Sequence, residues 1–128
     1  GTTFIKNKDT IMAKHITQGK LGEQVSVDYL LKNAYTIEAR NYRYKRAEID
    51  IVARKGDLLI FIEVKSLRRN THGHPEQKIT RNKIRLINRA ACAYQYQHKW
   101  RQEVRFDSIS VNFYPQAFKI EHFEDAFS

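Results

Sequence analysis

The chain has 128 residues, a hydrophobic content of 41% and a formal net charge of +9. These values predict one globular domain with its own core and exclude an intrinsically disordered chain. The positive charge favours nucleic acid as a partner, with a merely solvated basic surface as the alternative, and no stretch approaches the roughly 20 apolar residues of a membrane span.

The N-terminal segment shows no clear periodicity, so residues 1–16 are predicted to be a loose tail and residues 17–128 the single domain. Met12 resembles a natural start, and residues 1–11 are therefore interpreted as either native or a foreign extension. Cys92 is the single cysteine, which excludes an intrachain disulfide. Together with the missing signal-peptide pattern it predicts a cytoplasmic protein, and its alanine neighbours predict a small core residue.

A first helix is predicted from residue 17 or 18 to residue 33, with Thr17 as its N-cap. At 100° per residue, Glu23 falls on one stripe with Val27 and Leu30. An acid that shares a stripe with two aliphatic residues is expected to face the body of the protein.

Three strands are predicted next, over residues 35–42, 47–54 and 58–66. The turn at Gly56 predicts an antiparallel hairpin of the second and third strands. Because residues two apart in a strand share a face, Glu48, Asp50 and Val52 are expected together on one face of the second strand. Glu63 and Lys65 are likewise expected on one face of the third strand. Its apolar residues on both faces predict a central strand.

A polar loop over residues 67–75 and a helix from residue 76 or 80 to residue 99 are expected after that strand. One side of this helix is apolar, formed by Ile84, Ile87, Ala90, Ala91 and Tyr94. The other side carries Lys78, Arg81, Arg85 and Arg89, either as a phosphate-binding row or as a solvated helix face.

The last two strands are predicted over residues 104–113 and 117–122, with a turn at Pro115 between them. The complete order, αβββαββ, predicts an α/β fold with a mixed five-stranded sheet flanked by helices. The second helix is then a crossover that sets the fourth strand parallel to the third.

Asp50, Glu63 and Lys65 form the main candidate for a functional site, because a carboxylate pair on adjacent strands can hold a divalent metal. Asp50 and Glu63 would be ligands, the Val64 carbonyl a third, and Glu23 an additional carboxylate. Lys65 would orient the attacking water or stabilise the phosphorane. The alternative is a salt-bridged strand end, since Glu-x-Lys alone is common.

These motifs, taken together, resemble the YraN-like family of uncharacterised bacterial proteins over nearly the whole chain from about Met12. The resemblance rests on Gly19-Lys20-Leu21-Gly22-Glu23, Arg40-Asn41-Tyr42-Arg43, residues 47–53, residues 61–66, Pro75-Glu76, Lys83, Arg105-Phe106-Asp107 and residues 120–127. That family is similar to archaeal Holliday-junction resolvases, in the PD-(D/E)xK, restriction-endonuclease-like superfamily. One departure is Ile49, which stands before Asp50 where the motif has a nominal proline.

The resemblance implies a restriction-endonuclease-like fold and Mg²⁺-dependent hydrolysis of DNA at Asp50, Glu63 and Lys65, with Glu23 assisting and Mn²⁺ as a possible substitute. Branched or damaged DNA would be the substrate. Because two-fold junctions suit two-fold enzymes, a homodimer is a further possibility. A non-catalytic nucleic-acid-binding module of the same fold is the first alternative, and a protein-interaction subunit is the second.

Several other residues have a functional and a structural interpretation. The candidate DNA contacts are Arg43, Arg46, Arg68, Arg69 and Lys83, although Lys83 could equally be a lysine that reaches past the core. Glu48 could reach the metal or pair with Arg43, Arg46 or Lys65. The remaining assignments are structural: His72 and His74 to a loop, Tyr94, Tyr96 and Trp100 to packing, and Asp107 to a strand start.

Overall fold

The computed structural model describes residues 2–6, 17–69 and 79–128, and of residues 2–6 the backbone alone. The elements in chain order are β1 (Thr2–Lys6), α1 (Gln18–Lys32), β2 (Thr36–Tyr44), β3 (Ala47–Lys55), β4 (Leu58–Arg68), α2 (Arg81–Gln97), β5 (Val104–Tyr114) and β6 (Ala117–Phe123). The predicted α/β class and the order αβββαββ are confirmed. His72, His74, Lys78 and most of the predicted loop lie outside the described residues.

The sheet has the strand order β1-β6-β5-β4-β3-β2. β4 and β5 are parallel, and the other neighbouring pairs are antiparallel. The five predicted strands are all present, and α2 is the expected crossover between β4 and β5. β1 adds a sixth strand along β6, where the sequence predicted a loose tail. An edge strand such as β6 has free backbone N–H and C=O groups, and five paired residues of β1 satisfy them.

Each helix begins at a threonine whose hydroxyl caps it. Thr17 Oγ1 accepts a hydrogen bond from the Lys20 amide, and Thr80 Oγ1 accepts one from the Lys83 amide, both at 3.2 Å. Both caps satisfy an amide that would otherwise lack a partner in the first helical turn. The Thr80 cap fixes the start of α2 and therefore the place of Lys83 on it.

Two hydrophobic clusters cover the two faces of the sheet. α1 packs on one face through Val25, Val27 and Leu30, against Ile51, Ala53, Ile60, Ile62, Ile109 and Val111. α2 packs on the other through Ile87, Ala90, Ala91 and Tyr94, against Ala47, Ile49, Val52, Leu59 and Phe61. β4 supplies buried residues to both clusters, as expected for a central strand.

The alternation of faces along β3 breaks at Asp50. Ile49 packs on the α2 side, Ile51 packs on the α1 side, and Val52 returns to the α2 side. On β2, Asn41 stands opposite this point with a positive φ of 52°. The prediction that Val52 shares a face with Glu48 and Asp50 is therefore wrong, because the two strands kink together at this register.

Two expectations for α2 are also wrong. Cys92 is exposed rather than a core residue, and Tyr96 is 87% exposed rather than packed. Both lie outside the buried arc of α2, on the helix face opposite Ile87 and Ala90. No helix in the described part of the chain is long and apolar enough to cross a membrane.

Candidate functional site

The candidate site lies where β3 and β4 stop pairing. Their antiparallel ladder runs from the turn at Gly56 to the pair Ile51 and Ile62, and no pairing continues beyond it. At the next position, Asp50 Oδ2 accepts a hydrogen bond from the Val64 amide at 2.8 Å. The carboxylate thus takes the place of a backbone acceptor in the ladder and lies between the separating strands.

Burial strongly perturbs the Asp50 carboxyl. Burial, which disfavours the charged form, raises the pKa of Asp50 to about 6, and the negative charges of Glu63 and Glu48 act in the same direction. The Val64 amide and the Lys83 ammonium oppose this increase but do not cancel it. Such a shift is typical of functional carboxylates, although ion-pair networks also produce it.

Glu63 is buried, with 4% of its surface exposed. Its Oε1 forms an ion pair with Lys83 Nζ at 2.5 Å. Its Oε2 is buried and has no hydrogen-bond partner among the described residues. One oxygen of this carboxylate is therefore neutralised, and the other lacks the donor or cation that a buried oxygen normally has.

Lys83 lies on the buried side of α2 and reaches into the site. Burial alone would lower the pKa of Lys83, but the hydrogen bond and charge of Glu63, together with the charges of Asp50 and Glu48, outweigh burial and raise it. Of the two interpretations of Lys83, the structure supports the one in which the side chain contacts the site. The role of Lys83 in DNA binding stays a prediction.

Glu23 and Glu48 are each bound by a basic side chain from β2. Glu23 Oε1 accepts hydrogen bonds from Arg40 Nε at 3.1 Å and from Asn41 Nδ2 at 2.9 Å. Glu48 forms an ion pair with Arg43 at 3.0 Å, which is one of the pairings considered for it. Both nevertheless line a groove of about 370 Å³ together with Asp50.

Lys65 lies on the same strand as Glu63, two residues further on, and is partly buried. Both line a second groove of about 350 Å³, which is closed on its other side by Thr80 and Lys83. The predicted juxtaposition of Glu63 and Lys65 on one side of the sheet is thus present in the structure.

The basic candidates surround this end of the sheet to different degrees. Arg46 is exposed in the β2–β3 turn, and Arg68 is exposed at the end of β4. Arg69 is held against β5, because its Nε donates to Asn112 Oδ1 at 2.7 Å. Arg43 is mostly exposed despite its pairing with Glu48.

A metal was expected here with Asp50, Glu63, the Val64 carbonyl and Glu23 as ligands. Within residues 17–69 and 79–128, no three His, Cys, Asp or Glu side chains are grouped closely enough to hold an ion. A smaller set of oxygen donors, the kind that a hard cation takes, is present: two acids, one with an unpartnered oxygen, and the Val64 carbonyl. In an extended strand the N–H and C=O of one residue point to the same neighbour, so this carbonyl lies on the Asp50 edge of β4.

A close helix approach supports the site and was not predicted. Gly22 in α1 packs directly on Ser66 in β4, and a Cβ at Gly22 would overlap the Ser66 hydroxyl. The hydroxyl is itself buried without a hydrogen-bond partner among the described residues. The missing side chain lets α1 bring Glu23 close to the kink in β2.

A buried polar network on β5 was also missed, because Asp107 was interpreted as a simple strand start. Asp107 is fully buried and accepts hydrogen bonds from Arg105 Nε and Nη2, both at 2.8 Å. It also contacts His122 Nε2 at 2.7 Å, and His122 Nδ1 contacts the Tyr29 hydroxyl at 2.9 Å. The signal in the sequence was weak, since Tyr29 and His122 are far from Arg105 and Asp107 along the chain.

Comparisons with known proteins place the chain in a family without assigning an activity. A UPF0102 protein of Flavobacterium psychrophilum is 41% identical over 91% of this chain and 98% of its own length. A UPF0102 protein of Syntrophus aciditrophicus is 38% identical over 91% of this chain and 92% of its own length. The model of the uncharacterised protein family UPF0102 matches residues 22–111. The resemblance to the YraN-like family is thereby confirmed, and the chain belongs to the uncharacterised protein family UPF0102.

Proposed function

We propose that this protein is a divalent-metal-dependent DNA endonuclease that hydrolyses phosphodiester bonds, with branched or damaged DNA as its substrate class. The observation that carries the proposal is the state of Glu63. This carboxylate is buried on a central strand and has one oxygen without a partner in the described structure. It is also close enough to Asp50 to raise the pKa of Asp50. Two acids that destabilise each other in a buried position need a cation or a catalytic task.

Asp50, Glu63 and the Val64 carbonyl would hold the metal, since Mg²⁺ and Mn²⁺ accept oxygen ligands. When bound, the ion would lower the pKa of a water molecule and neutralise charge that develops on the phosphate. Glu23 would join this set only after exchanging its contacts with Arg40 and Asn41.

The lysines of the site would handle charge and protons. Lys65, on the Glu63 side of β4, would orient the attacking water or stabilise the phosphorane, as an ammonium group close to a reacting phosphate does. Lys83 neutralises Glu63 in the absence of a metal and would turn to the phosphate once the metal takes over that task.

The test is cleavage of single-stranded, duplex and four-way-junction DNA with Mg²⁺ or Mn²⁺. The expected result is cleavage by the wild type and a loss of at least a hundredfold in Glu63→Ala, Asp50→Ala and Lys65→Ala. Asp57→Ala, in the exposed β3–β4 turn, is the matched control and should retain activity. If Glu63→Ala cuts as fast as the wild type, the activity comes from a contaminant and the proposal fails.

A non-catalytic nucleic-acid-binding module is the second candidate, and a specific observation favours it. Lys83 already neutralises one oxygen of Glu63, Glu23 is bound by Arg40 and Asn41, and the described residues contain no three-ligand group. This candidate predicts salt-sensitive DNA binding that is unchanged by chelator and by Asp50→Ala, with no turnover of any substrate.

A further inference from the structure

A groove of about 800 Å³ runs along the outer face of α2, away from the acidic site. Its other wall is the end of β2 and the following turn, which contribute Tyr44 and Lys45. From α2 it takes Arg81, Arg85, Arg89 and Tyr96. Among the described residues, the groove is therefore lined by cations, by two aromatic rings and by a few apolar side chains, and none of these lining residues is acidic.

The cations of this groove are available to an external anion. None of Lys45, Arg81, Arg85 and Arg89 forms an ion pair within the described part of the chain. Arg85 instead donates to the neutral Asn82 Oδ1 at 2.7 Å. The three arginines follow one another at intervals of four residues, about 6 Å along the helix axis. They form a row of positive charge on one side of the helix, which turns by about 40° from one arginine to the next.

The aromatic rings suit the faces of unpaired bases. Tyr96 is 87% exposed, and the ring contacts among the described aromatic residues do not include it. Tyr44 is half-buried at the opposite wall, with Lys45 Nζ 5.4 Å from its ring centroid. The exposed ring of Tyr96 therefore has a free face on which a base can stack.

We propose that this groove, the α2 groove, binds single-stranded nucleic acid. The arginine row and Lys45 contact successive phosphates, and the bases stack on Tyr96 and Tyr44. A duplex is the poorer occupant because its base faces already stack on one another. An anionic membrane is poorer as well, because the groove offers no broad apolar surface to insert.

The α2 groove and the acidic site both reach the first turn of the same helix, on opposite sides of it. Arg81 lines the groove, and Lys83, two residues later, contacts Glu63. Because residues two apart on a helix lie about 200° from each other around its axis, a bound strand would have to pass around the start of α2 to reach both. The link to cleavage rests on the proposed function, whereas binding in the groove does not.

The experiment measures binding of a fluorescent oligothymidine and of a duplex of equal length by anisotropy, in chelator and over a salt series. We expect tighter binding of the single strand, and Tyr96→Ala should weaken it about fivefold or more. The double variant Arg85→Gln/Arg89→Gln should reduce the slope of log affinity against log salt by about 1.4, from roughly 0.7 for each single-strand phosphate. Lys32→Gln on α1 and Tyr114→Ala on β5 are the matched controls, expected to bind like the wild type.

Binding that is unchanged in the groove variants, or a preference for the duplex, overturns the proposal. So does tighter binding to phosphatidylserine vesicles than to the oligonucleotide, with the same variants abolishing it. Because chelator removes any metal, these outcomes are independent of cleavage. If the wild type cuts DNA and Tyr96→Ala binds the single strand as tightly as the wild type, the groove proposal alone fails. If Tyr96→Ala loses binding and the wild type cuts no DNA, the nuclease proposal alone fails.

Discussion

The Val64 amide donates to the Asp50 carboxylate at 2.8 Å, across the point where β3 and β4 separate. This bond places an acid in the position of a backbone acceptor, within the electrostatic reach of Glu63 and Lys83. The geometry has a cost, because the same burial that positions Asp50 disfavours its charge. The proposed role of Asp50 as a charged ligand and the stability of the fold therefore oppose each other at this residue.

Asp50→Asn should stabilise the metal-free protein at neutral pH. The folded pKa of Asp50, about 6, lies above the ordinary 3.8, so the folded state holds the proton more tightly than the unfolded state. Ionisation of Asp50 then costs stability as pH rises from about 4 to about 6, by up to roughly 3 kcal/mol. Asparagine keeps an acceptor for the Val64 amide and removes the charge.

The measurement is urea unfolding in chelator, at several pH values between 4 and 8. The free energy of unfolding of Asp50→Asn should equal that of the wild type near pH 4. It should exceed the wild-type value increasingly up to about pH 6, and the difference should stay constant above that pH. Asp57→Asn, in an exposed turn, is the matched control for the removal of a carboxylate. A variant that is less stable than the wild type at pH 8 would contradict the raised pKa.

Lys83→Met should destabilise the metal-free protein by about 1–3 kcal/mol. The change leaves Glu63 buried without its cation, and the cost is limited because the lysine side chain is 54% exposed. Adding Glu63→Gln should recover most of the loss, because the uncompensated charge is then gone. If Lys83→Met costs the same free energy of unfolding in the wild type and in Glu63→Gln, the interaction between Lys83 and Glu63 contributes nothing to stability.

The same variant also tests whether Lys83 neutralises Glu63 where a metal would bind. Thermal unfolding with and without MnCl₂ should show a larger metal-induced increase in Tm for Lys83→Met than for the wild type. Lys32→Met, on the other face of the sheet, should respond to the metal like the wild type.

Much of the fold follows from local pattern. The caps at Thr17 and Thr80 are readable from residue type, and the two-sided apolar run before Glu63 predicts a central strand and hence a buried acid. The kink at Asp50 was not predictable in this way, since it depends on the backbone of Asn41 in the neighbouring strand. Contacts between distant residues could not be predicted either. Predicting them requires the rotation of each helix relative to the sheet and the register of neighbouring strands.

The Lys83–Glu63 pair shows where this limit lies. The helical pattern placed Lys83 on the apolar side of α2, which allowed either a contact with the site or a lysine that passes the core. Deciding between them required the crossover geometry that sets α2 against β4. The β1 strand was missed for a different reason, since its pairing with β6 joins opposite ends of the chain.

Gly22→Ala should destabilise the protein by about 1–3 kcal/mol, because the new methyl group overlaps the Ser66 side chain and α1 must shift. Gly19→Ala is the matched control on the same helix: nothing lies near its Cβ, and the better helix former should stabilise by up to about 1 kcal/mol. Chemical denaturation of both variants gives the comparison. Combining Gly22→Ala with Ser66→Gly should restore part of the loss, and the absence of any rescue would place the strain elsewhere.

Asp107→Asn should be among the most destabilising conservative changes, by about 3 kcal/mol, because among the described residues it leaves the mostly buried Arg105 with only the exposed Glu124 as an acidic partner. Burial alone would raise the pKa of Asp107, but hydrogen bonds from His122, Arg105 and the Asp125 amide outweigh burial and lower it. The charge therefore stabilises the fold above the ordinary pKa of 3.8, and this contribution is lost as pH falls through the lower folded value.

Thermal unfolding across pH should accordingly show a constant gap between the wild type and Asp107→Asn from about pH 5 to pH 8. The gap should narrow below about pH 4, where the Asp107 carboxyl of the unfolded chain begins to take up a proton, and it should close as pH falls through the lower pKa of the folded state. Glu124→Gln removes only the exposed partner of Arg105, and should change stability by less than about 0.5 kcal/mol. Because the Asp125 amide donates to Asp107, faster amide exchange at Asp125 in Asp107→Asn would show that this carboxylate holds the C-terminal segment against β5.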